Sequence, residues 1–486
     1  MNPQRRLRWQ EGLLFAGIAG FLLLFFGRLH PYLPYDGDDW AYLFYSRGAL
    51  PIWGYWNPGR IFPEIVRPLT AFAAFHFVLP LAGDISWSLA IVTAVMLTGT
   101  VLFYLLSLRY LLMSRTACGA PLADGLCLLF LVLHFLLFRS ARDNNVHLLY
   151  SIDMNTVFYY LIPSLLSVGL AFRWTAGGEA FSRVLCREHP LRQGMLLAGM
   201  YLCIFSTLMS GAILPAFAAV RLLWAVLSGE KSQPLRERLE GEGWSLVALA
   251  LYLAMLLFEA SGARAGQLRE GTSLAGGMLE AARAVLSRLR EVNPLAAGTC
   301  LMGLFGGFLA AGKAEGARRE MGMVFLSGAL LGAGITGICA LSIPAYAARV
   351  DVLFGAWSCL LASGVLGMAR LLEGRRVLGM LLPLLTLVLA FECGTRGHTF
   401  REGNVKNCSP ERCVQTNNAI LRQVMAADAS GSFAAEIAVD SAERFSFTAS
   451  AMESMLLNQG MATSELGLVT RVDPEFDEHF GITAAK

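Results

Sequence analysis

The stretch that decides the fold is residues 12–42, which read GLLFAGIAGFLLLFFGRLHPYLPYDGDDWAY. The apolar run at residues 12–26 resembles a secretory signal, but no small-x-small cleavage site follows it, so we predict an uncleaved first transmembrane helix. This helix leads into residues 35–42, called the acidic loop below, which hold three aspartates within four residues between aromatic side chains. The membrane helix indicates the fold class, and the acidic loop that follows it is the candidate functional site.

The composition of the whole chain extends the membrane prediction to most of its length. Of the 486 residues, 55% are hydrophobic and 15% are charged, and the mean hydropathy is +0.54. Soluble proteins carry roughly 25% charged residues, so we predict an all-α polytopic membrane protein. The net charge is only +3 and no long basic tract is present, so a nucleic-acid partner is not expected. The cysteines and histidines form no CxxC, HxH or HExxH pattern, which argues against a zinc site.

About eleven apolar runs of roughly spanning length recur along the chain. They lie at residues 12–29, 86–108, 121–138, 155–172, 194–211, 213–228, 244–258, 295–312, 321–343, 352–369 and 377–391. When the chain is threaded alternately through these runs, the arginine-rich and lysine-rich connections all fall on one side. Because cytoplasmic loops carry the excess of positive charge, we predict a cytoplasmic N-terminus and an outer C-terminus.

The outer face then receives a long first connection, residues 31–85, within a transmembrane domain of residues 1–391. Its apolar part at 61–83 is interrupted by three prolines, and a full span there would invert every later loop, so we expect one or two helices along the outer surface. An amphipathic stretch at 274–292 is expected to lie on the same leaflet, with a lid over a lipid donor as the alternative. A turn near residues 210–211 is expected between two of the spans.

The last part of the chain, residues 392–486, is polar and differs in composition from the rest. We predict a small soluble α/β domain on the periplasmic side, with a helix over 414–426 and a strand over 433–439. Cys408 and Cys413 flank a short turn, and both a disulfide and two free thiols remain open.

The acidic loop is the strongest candidate for chemistry, because carboxylates beside a membrane are expensive to desolvate and repel one another. Transfer of a sugar from a lipid-phosphate carrier needs a base for the acceptor hydroxyl and cationic groups for the departing phosphate. Asp38 or Asp39 is a candidate base. Outer-loop arginines suit the phosphate because their guanidinium groups donate paired hydrogen bonds. These arginines are Arg60, Arg67, Arg142, Arg264, Arg269 and Arg349.

Three short motifs resemble a known family. Gly37-Asp38-Asp39-Trp40 is followed by Trp56-Asn57-Pro58-Gly59-Arg60, and later come Tyr159-Tyr160-Leu161-Ile162-Pro163 and Pro344-Ala345-Tyr346-Ala347-Ala348-Arg349. Together they resemble the GT-C superfamily of polyprenyl-phosphate-sugar-dependent glycosyltransferases, and more closely the bacterial polytopic proteins grouped with O-antigen glucosyltransferases. The resemblance covers residues 10–370. It departs at 259–264, where a Pro-Gly-Asn-type turn is expected, and after 206–211, where some relatives carry an acidic residue.

The resemblance implies a glycosyltransferase whose first-loop carboxylate is the base, here Asp38 and Asp39. The candidate substrate-binding residues are Asp36, Trp40, Arg60, Arg142, Arg264 and Arg349. Some members of the family bind a divalent cation through the first-loop carboxylate, so the resemblance implies Asp36 as an assisting or metal-binding residue and Asp36 with Asp38 as candidate ligands of Mg²⁺ or Mn²⁺. The donor would be a polyprenyl-phosphate-sugar and the acceptor a cell-envelope glycan or glycolipid such as lipopolysaccharide. The implied location is the bacterial inner membrane, with the active face periplasmic. Inversion is expected separately, because the loop offers one base and no evident nucleophile.

Other interpretations stay open at this stage. Acidic loops with Trp and Tyr also serve as interfacial anchors, Arg60 is able to pair with Glu64 or Asp39, and Asp153 suits the start of the following helix. Arg349 is placed where snorkelling to the membrane edge is common. At the level of function, the alternatives are a transporter or flippase of lipid-linked sugars and an O-antigen polymerase or ligase.

Overall fold

The computed structural model describes residues 3–44, 58–138, 147–187, 190–228, 239, 242–261, 273–310, 315–395, 409–431, 434–444 and 446–483. Most of these residues are helical. Eight helices in the described part are long and apolar enough to cross a membrane: Glu11–Leu29, Phe62–Ala82, Ile85–Arg115, Met154–Gly177, Leu208–Leu227, Gly243–Ser261, Arg318–Leu341 and Phe354–Leu372. Four shorter apolar helices accompany them: Ala120–Leu136, Gln193–Ile204, Pro294–Ala310 and Gly379–Cys393. The prediction of a helical polytopic membrane protein is confirmed.

The eleven apolar runs predicted from the sequence coincide with eleven of these twelve helices. The twelfth helix, Phe62–Ala82, lies in the first connection. Its prolines do not break it, because two π-helical turns, Phe62–Val66 and Ala74–Val78, alternate with α-helical turns and absorb the missing amide hydrogen bonds. By length and composition the helix qualifies as a span. Its predicted location along the outer surface stays a prediction.

One predicted boundary differs from the structure. The turn expected near residues 210–211 instead falls at 205–207, after the helix Pro190–Ile204. The reason is local: Thr207 adopts an extended backbone and its side chain accepts a hydrogen bond from the amide of Ser210, which begins a new helix there.

The chain divides into two compact units. The first, called the helical unit, consists of residues 1–14, 100–150 and 160–399. The second, called the loop unit, consists of residues 15–99, 151–159 and 400–486, so it unites the acidic loop, a short part of the second outer connection and the C-terminal tail. The predicted domains 1–391 and 392–486 divide the chain differently, and their independence stays a prediction.

In the helical unit, ion pairs join helix ends that the charge pattern predicts on one side of the membrane. Arg109 Nη1 lies 3.0 Å from Glu11 Oε1, and its Nε donates to Asp124 Oδ1 at 2.6 Å. Arg115 Nη1 lies 3.5 Å from Glu320 Oε1. These pairs bring together the ends of four helices, and the predicted threading and orientation stay a prediction.

Close helix packing in the same unit depends on glycine. The helices Pro294–Ala310 and Phe354–Leu372 approach so closely that a Cβ atom built on Gly307 would lie 2.3 Å from the Cα of Gly367. Helix association within a bilayer is driven by such van der Waals contact, because lipid tails are as apolar as the side chains. A Cβ atom built on Gly298, in the same helix as Gly307, meets nothing within 4 Å.

We predict that Gly307→Ala destabilises the protein and that Gly298→Ala does not. Both variants gain the same helix propensity, so they differ only in the backbone clash, which should cost about 1–3 kcal/mol at Gly307. Melting temperatures of the two purified variants in detergent provide the measurement. Equal melting temperatures would contradict the packing account.

The tail in the loop unit is an α/β arrangement. It contains the helices Pro410–Ala429, Thr448–Asn458 and Phe476–Phe480 and two strands, β1 (Ala434–Val439) and β2 (Gly467–Val472). The strands pair in parallel from Ala434 opposite Gly467 to Val439 opposite Val472. The predicted helix and strand of the tail are confirmed. Cys408 lies outside the described residues, and the thiol of Cys413 is 3.6 Å from the carbonyl oxygen of Pro34.

Candidate functional site

The acidic loop folds as a short helix, Gly37–Ala41, whose start is fixed by its own first aspartate. Asp36 has an extended backbone, and its Oδ1 accepts a hydrogen bond from the amide of Asp39 at 3.0 Å. This is a helix N-cap, which satisfies one of the amides left without a partner at a helix start. Asp38 and Asp39 then occupy the first turn, where the partial positive charge of the helix end favours carboxylates.

Asp39 is completely buried, and both of its carboxylate oxygens accept hydrogen bonds from the loop unit. Its Oδ2 accepts from the amide of Tyr35 at 2.9 Å, and its Oδ1 accepts from the amide of Asn155 at 2.7 Å. Such a carboxylate is held in place by the fold and presents no surface to a substrate. The placement does not favour the base role predicted for Asp39 and fits a positioning role.

Arg67 is the cationic partner of Asp39. Its side chain is fully buried, and Nη2 lies 3.4 Å from Asp39 Oδ1 while also donating to the backbone carbonyl of Asp39. Nη1 donates to the side-chain oxygen of Asn155 at 2.6 Å, and the guanidinium lies 5.8 Å from the ring centre of Phe158. Arg67 was a sequence candidate for phosphate binding, but here its donors bind the acidic loop and residues 151–159.

Residues 151–159 reach the loop through a second capped helix start. Asp153 accepts from the amide of Thr156 at 2.6 Å, and the Thr156 hydroxyl accepts from the amide of Asp153 at 3.2 Å, which together form a capping box. The helix start predicted at Asp153 is therefore confirmed. The capping box aims the amide of Asn155 at Asp39 and brings the Asp153 carboxylate into electrostatic range of Asp36 and Asp39.

The carboxylates of the loop occupy three different electrostatic environments. Burial raises the pKa of Asp36 to about 6, and the charges of Asp153 and Asp38 add to this, while the amide of Asp39 and the Arg67 guanidinium oppose it. Burial, with Asp36 and Asp153, raises the pKa of Asp39 well above its ordinary value against the opposing effect of Arg67. Asp38 is exposed. Clustered carboxylates with pKa values moved towards neutrality are typical of functional sites.

Two further predicted site residues of the first connection, Trp40 and Arg60, are buried. The Trp40 side chain has no exposed surface, so its indole packs in the core of the loop unit and offers no face to a sugar ring. Arg60 is also buried, with its Nη1 3.6 Å from Glu64 Oε1, so the pairing with Glu64 that the sequence left open is confirmed.

Arg60 also has an unusual backbone, with a φ of 58°, which an L-residue adopts only at some energetic expense. Left-handed residues of this kind concentrate at functional sites. Its predicted role in substrate binding stays a prediction.

Arg349 lies in the helical unit and is held by neighbours of its own. Its guanidinium donates to both carboxylate oxygens of Asp351, at 3.1 and 2.6 Å, and lies 5.1 and 4.8 Å from the ring centres of Tyr160 and Tyr346. This cation–π and ion-pair cluster joins two of the three motifs that carry the resemblance. Arg142, Arg264 and Arg269 lie outside the described residues, as do Trp56 and Asn57.

The proposed metal ligands Asp36 and Asp38 do not assemble a full ligand set with other described residues. No group of three His, Cys, Asp or Glu side chains able to hold a metal ion occurs in the described part of the chain. Mg²⁺ and Mn²⁺ prefer octahedral coordination by oxygen atoms. One carboxylate oxygen of Asp36 already accepts a hydrogen bond from the amide of Asp39. The predicted metal site stays a prediction.

No protein-family model matches the chain, and no curated protein or solved structure does either.

We predict that Arg67→Met destabilises the protein by about 3–5 kcal/mol, because it leaves the buried Asp39 without a counter-charge. The double variant Arg67→Met/Asp39→Asn should recover part of this loss. Arg28→Met is the matched control, since Arg28 pairs with Glu411 at the surface of the same unit and should contribute less than about 1 kcal/mol. Melting curves of the purified variants decide the matter, and an Arg67→Met protein that melts like the wild type would contradict the account.

Proposed function

We propose that the protein is a glycosyltransferase of a bacterial inner membrane, which transfers a sugar from a polyprenyl-phosphate carrier to a cell-envelope glycan or glycolipid at the acidic loop. The observation that carries the proposal is the cluster formed by Asp36, Asp38, Asp39 and Asp153 around the buried Arg67. A cluster of like charges is costly in a mostly apolar protein unless the charge is used. The resemblance of the surrounding motifs to GT-C enzymes supports the same reading.

The three loop carboxylates are assigned different roles. Asp38 is exposed on the first helical turn, where it is able to meet a substrate hydroxyl, so it is the proposed general base. Asp36 is assigned an assisting role, because its carboxylate lies within electrostatic range of Asp38. Asp39, which was a base candidate in the sequence, is assigned to positioning.

In the proposed reaction, the Asp38 carboxylate accepts the proton of the acceptor hydroxyl as the hydroxyl oxygen attacks the anomeric carbon. The bond between that carbon and the carrier phosphate breaks, and its electron pair leaves with the phosphate. The proton remains on Asp38 until it passes to solvent. With a single displacement the anomeric configuration is inverted. No step in this scheme is assigned to a metal ion.

The departing phosphate gains negative charge, which guanidinium groups stabilise through charge-assisted hydrogen bonds. Arg60, Arg142, Arg264 and Arg349 remain the proposed donors.

The proposed topology has eleven spans, a cytoplasmic N-terminus and the acidic loop on the periplasmic face. Its support is the positive-inside pattern together with the ion pairs that gather the predicted cytoplasmic helix ends. In this topology the helix Phe62–Ala82 lies along the outer membrane surface.

We predict that Asp38→Asn lowers sugar transfer by about 10²–10⁴-fold, the usual contribution of a general base. Glu436→Gln is the control, since Glu436 is an exposed carboxylate of the same unit and pairs only at the surface with Arg471. The assay uses purified protein, a polyprenyl-phosphate-sugar donor and an envelope glycan extract, with product counted by radiolabel. Wild-type transfer by Asp38→Asn would overturn the base assignment. Movement of donor across vesicle membranes without transfer would favour a flippase instead.

The raised pKa of Asp36 predicts opposite pH dependences for activity and stability. Activity should rise as the pH rises through about 6, because Asp36 is proposed to assist Asp38 in its ionised form. Stability should fall over the same range. Since the pKa in the folded state exceeds that of the unfolded chain, the contribution of this carboxyl is complete below about pH 3.8 and is lost as the pH rises through about 6.

Asp36→Asn keeps a good N-cap residue and removes the titration. Measured from about pH 4.5 to pH 8, it should flatten both profiles near pH 6 and melt above the wild type at the alkaline end. Activity and stability profiles identical to those of the wild type would contradict the assignment of this titration to Asp36. The charged side chains that face the Asp36 carboxyl are Asp38, Asp39, Asp153 and Arg67.

A further inference from the structure

The C-terminal tail packs on the start of the acidic loop, and Arg444 is at the centre of this contact. Its side chain is fully buried, and Nη1 donates to the carbonyl oxygen of Tyr35 at 2.8 Å and to Asn417 Oδ1 at 3.0 Å. The guanidinium lies 4.2 Å from the centre of the Tyr35 ring, and Nε donates to Asp440. One arginine of the tail thus binds both the backbone and the ring of the residue that begins the loop.

Tyr35 connects Arg444 directly to the carboxylate cluster. Its carbonyl oxygen accepts from Arg444, and its amide donates to Asp39 Oδ2 at 2.9 Å. A shift of the Tyr35 backbone would therefore break the hydrogen bond to Asp39 and move the helix start that carries Asp36 and Asp38. Arg444 is linked to the carboxylates through one residue.

A second group of contacts fixes the preceding residue. Asn417 Nδ2 donates to the carbonyl oxygen of Pro34 at 2.7 Å and to Ser86 Oγ at 3.1 Å. Tyr35 is also held at its far end, where its hydroxyl lies 3.3 Å from Ser441 Oγ. Two segments of the tail, the helix Pro410–Ala429 and the turn before Arg444, thus hold consecutive residues of the chain that enters the loop.

A third contact covers the loop itself. The Phe447 ring lies so close to Gly37 that a Cβ atom at position 37 would be 2.5 Å from ring atom Cε2. Gly37 is the first residue of the short helix, between the cap Asp36 and the proposed base Asp38. The absence of a side chain there permits the close approach. The side chain of Phe447 is 41% exposed, so it covers the loop from the surface side.

We propose that the tail is a clamp that holds the acidic loop in its reactive conformation, and that Arg444 is its positioning residue. The activity part of this inference depends on the proposed glycosyltransferase function, whereas the conformational part does not. Loops carry catalytic residues well only when the surrounding structure restricts them, because a displacement of about 1 Å lowers rates by about 10²-fold. The tail supplies that restriction here through Tyr35 and Gly37.

The first experiment compares Arg444→Gln with Arg471→Gln in the full-length protein in detergent. Arg471 is an arginine of the same tail whose ion pair with Glu436 is exposed, so it is the matched control. Hydrogen exchange is followed by mass spectrometry in peptides that cover residues 35–42 and, separately, the helix Pro410–Ala429. Transfer is measured as kcat and KM for the donor.

For Arg444→Gln we expect exchange in residues 35–42 to rise by about tenfold or more, with the tail helix protected as in the wild type. We expect kcat to fall by about tenfold or more with the donor KM within about twofold, since the loop is misplaced but the donor arginines are intact. Arg471→Gln should match the wild type. Wild-type protection of residues 35–42 in Arg444→Gln would overturn the clamp, as would equal loss of kcat in both variants.

Phe447→Ala keeps the test decisive if Arg444→Gln does not fold. It removes a partly exposed ring and no buried charge, so the tail should stay folded while exchange at residues 35–42 rises. Unchanged exchange in a folded Phe447→Ala protein overturns the clamp. If the wild-type protein transfers no sugar, the proposed function fails and the exchange results alone decide on the clamp.

Discussion

The buried ion pair between Arg67 and Asp39 is the interaction on which the candidate site depends. Two charges without solvent contact persist only if they are paired and their remaining donors and acceptors are bonded. Here Arg67 and Asp39 pair with one another, Tyr35 and Asn155 supply further hydrogen bonds, and among the described residues only the Nε of the Arg67 guanidinium is left without a hydrogen-bond partner in this pair. The pair therefore ties together the acidic loop, the helix Phe62–Ala82 and the start of the helix at Asp153, which are far apart in the sequence. The exposed position of Asp38 is a consequence of the buried position of its neighbour.

The same arrangement explains why adjacent aspartates are suited to different work. Asp39 faces inward and stabilises the turn, Asp36 caps it, and Asp38 is left on the outside of the first helical turn. Burial, together with the neighbouring carboxylates, raises the pKa values of Asp36 and Asp39. A proton acceptor beside a membrane needs this property if it is to work near neutral pH. In the proposed clamp, the C-terminal tail restricts this loop through the contacts of Arg444 with Tyr35 and of Phe447 with Gly37.

Much of the fold was predictable from the sequence because its signals are local. Apolar runs marked the helices, alternation marked β1, and Asp153 with Thr156 marked a capped helix start. The pairing of Arg67 with Asp39 was not predictable, because it joins residues 28 positions apart by side-chain geometry that no local pattern encodes. For the same reason Arg67 was read as a phosphate ligand and Asp39 as a base, and Arg444, which lies 409 positions from Tyr35, went unnoticed. The sequence left one or two helices open for residues 61–83, because it does not reveal the π-helical turns that accommodate the prolines of Phe62–Ala82.

We propose that the acidic loop is a reaction centre for a lipid-linked sugar. The decisive experiment is a density map of the full-length protein in a lipid nanodisc with a non-transferable polyprenyl-phosphate-sugar analogue. We expect density for the sugar beside Asp38, with the carboxylate within hydrogen-bond reach, about 3 Å, of the acceptor position or of one bridging water, and the prenyl chain in the bilayer. An analogue bound away from the acidic loop, with Asp38 facing bulk solvent, would contradict it.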